Sequence, residues 1–168
     1  MKLSEAKQQF INSWGAFGTQ WGINRTMAQI HALLLVSTNP LTQDDIMEEL
    51  SISRGNVNMN IRELIGWGLV DRVIIAGERK EYFSAEKDIW KVATKIIKER
   101  KKRELDPMIK LLGQLENVEA DKKDKEAQQF VQTVTNIKKL GLQADKALDS
   151  MIKAEEHWFT GSILKLFK

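Results

Sequence analysis

The chain contains no cysteine. That absence excludes disulfides, thiolate nucleophiles, zinc ribbons and any thiol redox switch. Histidine is nearly as scarce: His31 and His157 lie far apart, without carboxylates at metal-ligand spacing, so both read as packing or surface residues. No metal and no cofactor are expected. No apolar run approaches the length of a membrane span, and Met1-Lys2-Leu3-Ser4-Glu5 lacks the hydrophobic core of a signal peptide, so no membrane partner and a cytoplasmic location are expected. Glycine-rich phosphate loops, nucleophile elbows and paired catalytic carboxylates are missing too. No catalytic residue is therefore expected, and no enzyme. An excess of charge of one sign is also lacking, since 26 basic residues against 23 acidic ones leave a formal charge of +3. Such a balance permits nucleic-acid binding through a local basic patch without by itself suggesting it. A length of 168 residues suits one domain with a real core and an extension.

What is present concentrates between Leu41 and Phe83. Thr42 is placed to cap a helix, Asp45 to reach back from its third position, and Leu41 to meet Ile46 as a hydrophobic staple. Ile46 and Leu50 give that helix one apolar face, Ser51 and Ile52 fill a turn, and Ser53 caps a second helix in which Val57, Ile61 and Leu64 repeat at helical spacing. With those three residues inside, Gly55, Met59 and Arg62 face out, and Asn56, Asn58 and Glu63 lie at the margins. Asparagine is a poor helix former, so helix stability does not explain Asn56, Asn58 and Asn60. Base-edge reading does: an amide can bond adenine, Arg62 can reach guanine or a phosphate, and Met59 can lie on a thymine methyl. Ser53, Arg54 and Gly55 would sit where a helix N-terminus meets a phosphate, with glycine allowing close backbone approach. The plainer alternative is a solvated polar face.

Gly66-Trp67-Gly68 then stops the helix. Leu69 to Ile75 reads as a strand, Ala76-Gly77-Glu78-Arg79 as a turn, and Lys80 to Ser84 as the returning strand of a hairpin. Arg79, Lys80 and, on the first strand, Arg72 can touch the phosphate backbone or enter a minor groove. Helix, turn, helix and hairpin in this order form a winged helix-turn-helix.

These residues match a family. The run Leu50-Ser51-Ile52-Ser53-Arg54-Gly55-Asn56-Val57-Asn58-Met59-Asn60-Ile61-Arg62-Glu63-Leu64, then Trp67-Gly68-Leu69-Val70 and the wing Gly77-Glu78-Arg79-Lys80-Glu81-Tyr82-Phe83, resembles the GbsR group of MarR-like bacterial transcriptional regulators. The resemblance spans about residues 5 to 112. It departs at Ser51, where most helix-turn-helix turns have glycine, and it does not extend past about Val118. It implies a dimer that binds operator DNA, and the best-known member of the group responds to choline.

The flanks are read from pattern. Phe10, Trp14, Phe17 and Trp21 form an aromatic stripe on one helix, which Gly22 stops, and Asn24 caps the next helix, carrying Met27, Ile30, Leu33 and Leu34 and ending before Pro40. The stripe is either core and dimer interface, or, with Trp14, Phe17, Trp21 and Trp90, an aromatic surface for a small cationic or apolar effector. Beyond the wing, Asp88 begins a helix with Ile89, Ala93, Ile96 and Ile97 on one face. The run Lys98 to Glu104 is a solvated face with intrahelical pairs or a phosphate contact, and Pro107 predicts a kink or break near Leu105-Asp106. Glu119 to Glu126 reads as an exposed connection. Phe130, Val131, Val134 and Ile137 form a further stripe up to a break at Gly141, and Leu148, Met151, Ile152, Trp158, Phe159, Ile163, Leu164 and Phe167 continue it. The basic amphipathic end Trp158 to Lys168 could lie on a membrane surface, but packing in a symmetric dimer is the simpler destination.

The expected protein is therefore mainly α: a winged helix-turn-helix with a two-stranded wing over residues 1-87, and long flanking dimerisation helices over 88-168. The expected function is transcriptional regulation, in which a homodimer binds double-stranded operator DNA as a ligand-responsive repressor. The rival is a winged-helix module that uses the same face to bind protein.

Overall fold

The computed structural model describes residues 1–118 and 124–166, and from residue 155 onward the backbone alone. The expected connection Glu119 to Glu126 thus lies largely outside the described residues, as do the side chains of His157 and of residues 158 to 167. The chain forms two compact units, Met1–Val92 and Ala93–Lys168.

In the first unit, α1 (Leu3–Gln20) and α2 (Arg25–Val36) pair as a helical hairpin. The link turns at Gly22, whose φ of +75° favours glycine, and Asn24 accepts the Met27 amide at 3.1 Å to cap α2 as its sequence position predicts. Gly18 is needed for close packing, because a Cβ there would sit 2.6 Å from the Cβ of Ala28. The C-terminus of α2 is closed from a distance: the Lys87 ammonium donates to the carbonyls of Leu34, Leu35 and Ser37 at 2.6, 2.9 and 2.7 Å. A cation there satisfies the orphaned last carbonyls and complements the helix dipole.

Strand β1 (Leu41–Thr42) leads into α3 (Gln43–Leu50), followed by α4 (Arg54–Gly66), β2 (Val70–Val73) and β3 (Tyr82–Ala85). The sheet has three antiparallel strands in the order β1-β3-β2, where the sequence predicts only the two strands of the wing. The third strand is two residues long, too short for an alternating pattern, and pairs Leu41 with Phe83. The hairpin ladder is shorter than expected: it ends where Val73 faces Tyr82, leaving Ile74 almost fully exposed. Ile30, Leu34, Ile46, Val57, Leu64 and Val70 are the fully buried centre, so α2, α3, α4 and the sheet share one core.

Asp88 caps α5 (Ile89–Arg100) by accepting the amides of Trp90 and Lys91. Its buried residues are Val92 and Thr94, whereas Ile89, expected on the apolar face, is exposed.

In the second unit the helix is not broken before Pro107. It runs on through a π-helical turn, Lys101–Leu105, into α6 (Asp106–Leu115), with the Asp106 amide reaching the Lys101 carbonyl. The wider turn absorbs the missing proline donor within a continuous helix. The basic run is internally neutralised: Arg100 pairs with Glu104 at 3.1 Å and Arg103 with Glu99 at 2.5 Å, while Lys101 lies 2.9 Å from Asp145 and 3.3 Å from Asp149.

Those aspartates belong to α7 (Lys125–Leu166), which passes through Gly141 without a break. Gly141 serves helix packing instead, since a Cβ would meet Ile109 Cγ1 at 3.3 Å and Met108 Cε at 3.4 Å. The stripe expected over Phe130 to Ile137 is split between two sides. Val134, Gly141 and Ile152 are buried, whereas Phe130, Ile137 and Leu140 are exposed.

Candidate nucleic-acid interface

The interface is built on two helix caps. Thr42 Oγ1 accepts the Asp45 amide at 3.2 Å, and Asp45 Oδ2 accepts the Thr42 amide at 2.7 Å and its hydroxyl at 2.6 Å, closing the predicted capping box. These hydrogen bonds hold the Asp45 carboxyl below the usual carboxylate range. Ser53 Oγ then accepts the Asn56 amide at 3.4 Å and starts α4. Between the two helices Ser51 takes a left-handed conformation, φ +52° and ψ +46°, the position at which its sequence context calls for glycine. At the far end of α4, Gly68 is the left-handed residue (φ +69°), and Gly66 remains in the helix.

This frame fixes the phase of α4. Val57, Ile61 and Leu64 are buried, and Ser53, Arg54, Gly55, Asn56, Asn58, Met59 and Arg62 are all exposed. Met59 is 57% exposed, an apolar tip held in solvent on the outer face. A Cβ at Gly55 would meet nothing within 4 Å, so the first turn of α4 is open to an incoming group. Asn60 is a correction: expected among the base-reading amides, it is 3% exposed, and its Nδ2 donates to the Asn56 carbonyl at 2.8 Å. Its phase places it beside Val57 and Leu64 on the inner side.

The wing contributes Arg72, Arg79 and Lys80, all exposed, around a tip turned by Gly77 at φ +86° and closed by Glu78 donating to the Ile75 carbonyl. Wing and helices meet at a cleft of about 220 Å³ lined by Asp44, Arg54, Lys80 and Glu81, with Thr42 and Phe83. Arg54 pairs with Asp44 at 2.7 Å and Arg72 with Glu81 at 3.3 Å, and Gln43 Nε2 donates to the Arg54 carbonyl at 3.0 Å. Gln43, Asp44 and Glu81 are absent from the expected site. Only the folded juxtaposition of the α3 and α4 N-termini, and the register setting Arg72 opposite Phe83, reveals them.

The expected effector residues are more dispersed. Trp14 packs against Phe10 and His31, with ring centroids 5.4 and 6.3 Å apart, whereas Phe17, Trp21 and Trp90 are exposed and make no ring contact among the described residues. His31 is buried, and desolvation, with a smaller contribution from the Lys87 charge, lowers its pKa to about 4.

The profile of the MarR family matches residues 21–81, the segment from the end of α1 to the wing. Residues 21–81 are a MarR-like winged-helix domain. Among similar proteins, the HTH-type transcriptional repressor GbsR of Bacillus subtilis (strain 168) is 25% identical over 103 residues, which are 61% of this chain and 57% of that protein. The HTH-type transcriptional regulator MmpR5 of Mycobacterium tuberculosis (strain ATCC 25618 / H37Rv) is 26% identical over 76 residues, 45% of this chain and 46% of that one. The chain thus aligns with about half the length of the curated relatives it matches. A solved transcriptional regulator shares the fold with a TM-score of 0.55 at 17% identity, over 86% of this chain and 97% of that chain. The winged domain holds no metal cluster among the described residues, and no described helix is long and apolar enough to cross a membrane.

Proposed function

We propose that the protein is a transcriptional regulator that binds duplex DNA as a homodimer, with α4 in the major groove and the wing along the backbone. One observation carries this reading: the buried face of α4 is wholly apolar except for Asn60, and its opposite face presents amides, a guanidinium and a thioether beside the exposed basic wing. Asn56, Asn58 and Arg62 are the base-reading candidates, and Ser53, Arg54, Gly55, Arg72, Arg79 and Lys80 the phosphate-side ones. The regulator names of the similar proteins support the same reading.

Dimerisation is supported by α7. Phe130, Thr133, Ile137, Leu140, Ala144, Ala147 and Met151 recur alternately at three and four residues, and every one is exposed. This spacing is that of a coiled-coil seam, lying beside the stripe of α7 that buries Val134, Gly141 and Ile152, and a second copy is the simplest partner for it. Two winged domains would then read two half-sites.

Repression would follow from occupying promoter DNA, and release from a ligand that prefers the DNA-free geometry. The exposed rings of Phe17, Trp21 and Trp90, with Trp14 on the same helix as the first two, suit a soft cation or an apolar molecule. Mapping genomic sites bound by the tagged protein tests the function. Enrichment of a palindromic motif in promoters supports it, and recovery of protein partners without any DNA motif would favour an interaction module.

A further inference from the structure

We infer that Asp44 and Glu81 restrain DNA binding on this face, by holding Arg54 and Arg72 in ion pairs that a DNA phosphate must displace. The inference rests on the DNA-binding reading above. Each pair joins different elements: Asp44 on the first turn of α3 meets Arg54 on the first turn of α4 at 2.7 Å, and Glu81 beside β3 meets Arg72 of β2 at 3.3 Å. Both pairs are open to solvent, with side-chain exposures of 64% and 56% for Arg54 and Asp44, and 56% and 65% for Arg72 and Glu81. Exposed pairs of this kind contribute little to folding. Nor is Asp44 needed as a cap, since Asp45 closes the box with Thr42.

Their position gives them another consequence. Asp44, Arg54, Lys80 and Glu81 line one cleft where the two helix N-termini face the wing. A phosphate arriving there gains a guanidinium only by displacing a carboxylate, which then remains nearby as a like charge. This cost is common to every duplex sequence, so the two carboxylates lower the affinity for DNA and reduce the number of phosphates the free guanidinium groups can neutralise. Arg79 and Lys80, by contrast, form no ion pair within 4 Å among the described residues, although the Lys80 charge lies near enough to Asp45 to help hold its pKa down.

The test uses the full chain and a random-sequence duplex, titrated by fluorescence anisotropy across a salt series. D44N and E81Q should each tighten binding several-fold at a given salt concentration, and each should steepen the slope of log K against log salt by about 0.9, one extra neutralised phosphate. Asp71→Asn, which removes an exposed carboxylate with no arginine bound to it, controls for net charge and should move the slope far less. Thermal melting checks that all variants stay folded. If the wild type binds with a salt slope but D44N and E81Q behave like D71N, this inference fails and the DNA-binding reading stands. If the wild type binds no duplex at any salt concentration, both fall.

Discussion

Asn60 donates its side-chain amide to the Asn56 carbonyl one turn earlier, from a position buried among the apolar residues of α4. Asn56 itself is exposed, so the two asparagines have separate tasks. Asn60→Ala should destabilise the fold by about 1 kcal/mol, the net value of a typical buried hydrogen bond. Asn56→Ala and Asn58→Ala should leave stability nearly unchanged in urea denaturation. A large stability loss from Asn58→Ala would contradict the phase of the helix.

On the outer face the amides and the wing cations should separate in a different assay. Asn56→Ala or Asn58→Ala should relax base preference at particular operator positions by about 1 to 3 kcal/mol each if the contact is bidentate. Arg79→Ala and Lys80→Ala should weaken binding to every sequence and reduce the salt slope. Selection of bound sequences from a randomised duplex pool measures the first, and salt titration the second. Equal, sequence-independent losses from all four changes would refute the division.

The caps of this domain were legible in the sequence because they are local: Thr42 and Asp45 are three residues apart, and the box they form needs no other part of the chain. The amide of Asn60 suggests base reading, but its phase lies only about 60° from Val57 on a helix of 3.6 residues per turn, which buries it. Strand β1 was invisible because Leu41 and Thr42 become a strand only by pairing with Phe83 and Tyr82. Propensity alone predicts a break at Gly141 and a kink or break at Pro107. In the fold, a neighbouring helix at Met108 and Ile109 uses the glycine, and a π turn accommodates the proline. Asp44 and Glu81 carried no local signal, since each meets its arginine only through tertiary placement.

Ser51 is the one non-glycine residue with positive φ among the described residues. Ser51→Gly should relieve left-handed strain of about 1 to 2 kcal/mol, less about 0.5 to 1 kcal/mol of added chain entropy in the unfolded state. A net gain of up to about 1.5 kcal/mol, seen as a higher urea midpoint with an unchanged m-value, is expected.

Burial of His31 predicts a pH dependence of stability. Its folded pKa of about 4 lies below the ordinary histidine value of 6.5, so the unfolded chain takes up a proton that the folded chain refuses between these values. Stability from this group is complete above pH 6.5 and falls by about 3 kcal/mol as pH drops to 4. His31→Leu should remove this slope between pH 6.5 and 4.5, a window above the range where the depressed Asp45 carboxyl begins to protonate.

The outer seam of α7 should govern assembly. Leu140→Glu places a charge at an exposed seam position of the full chain. Sedimentation should shift from dimer toward monomer, while the helical circular-dichroism signal is retained. An unchanged dimer would move the interface elsewhere.

The central claim, that the exposed face of α4 and the wing bind duplex DNA, is tested most directly by the salt dependence of binding to a duplex carrying the mapped site. The account predicts that log K falls linearly with log salt, with a slope that becomes shallower by about 0.9 for each of Arg79→Ala and Lys80→Ala. Binding that is independent of salt, or a slope that neither substitution changes, would contradict it.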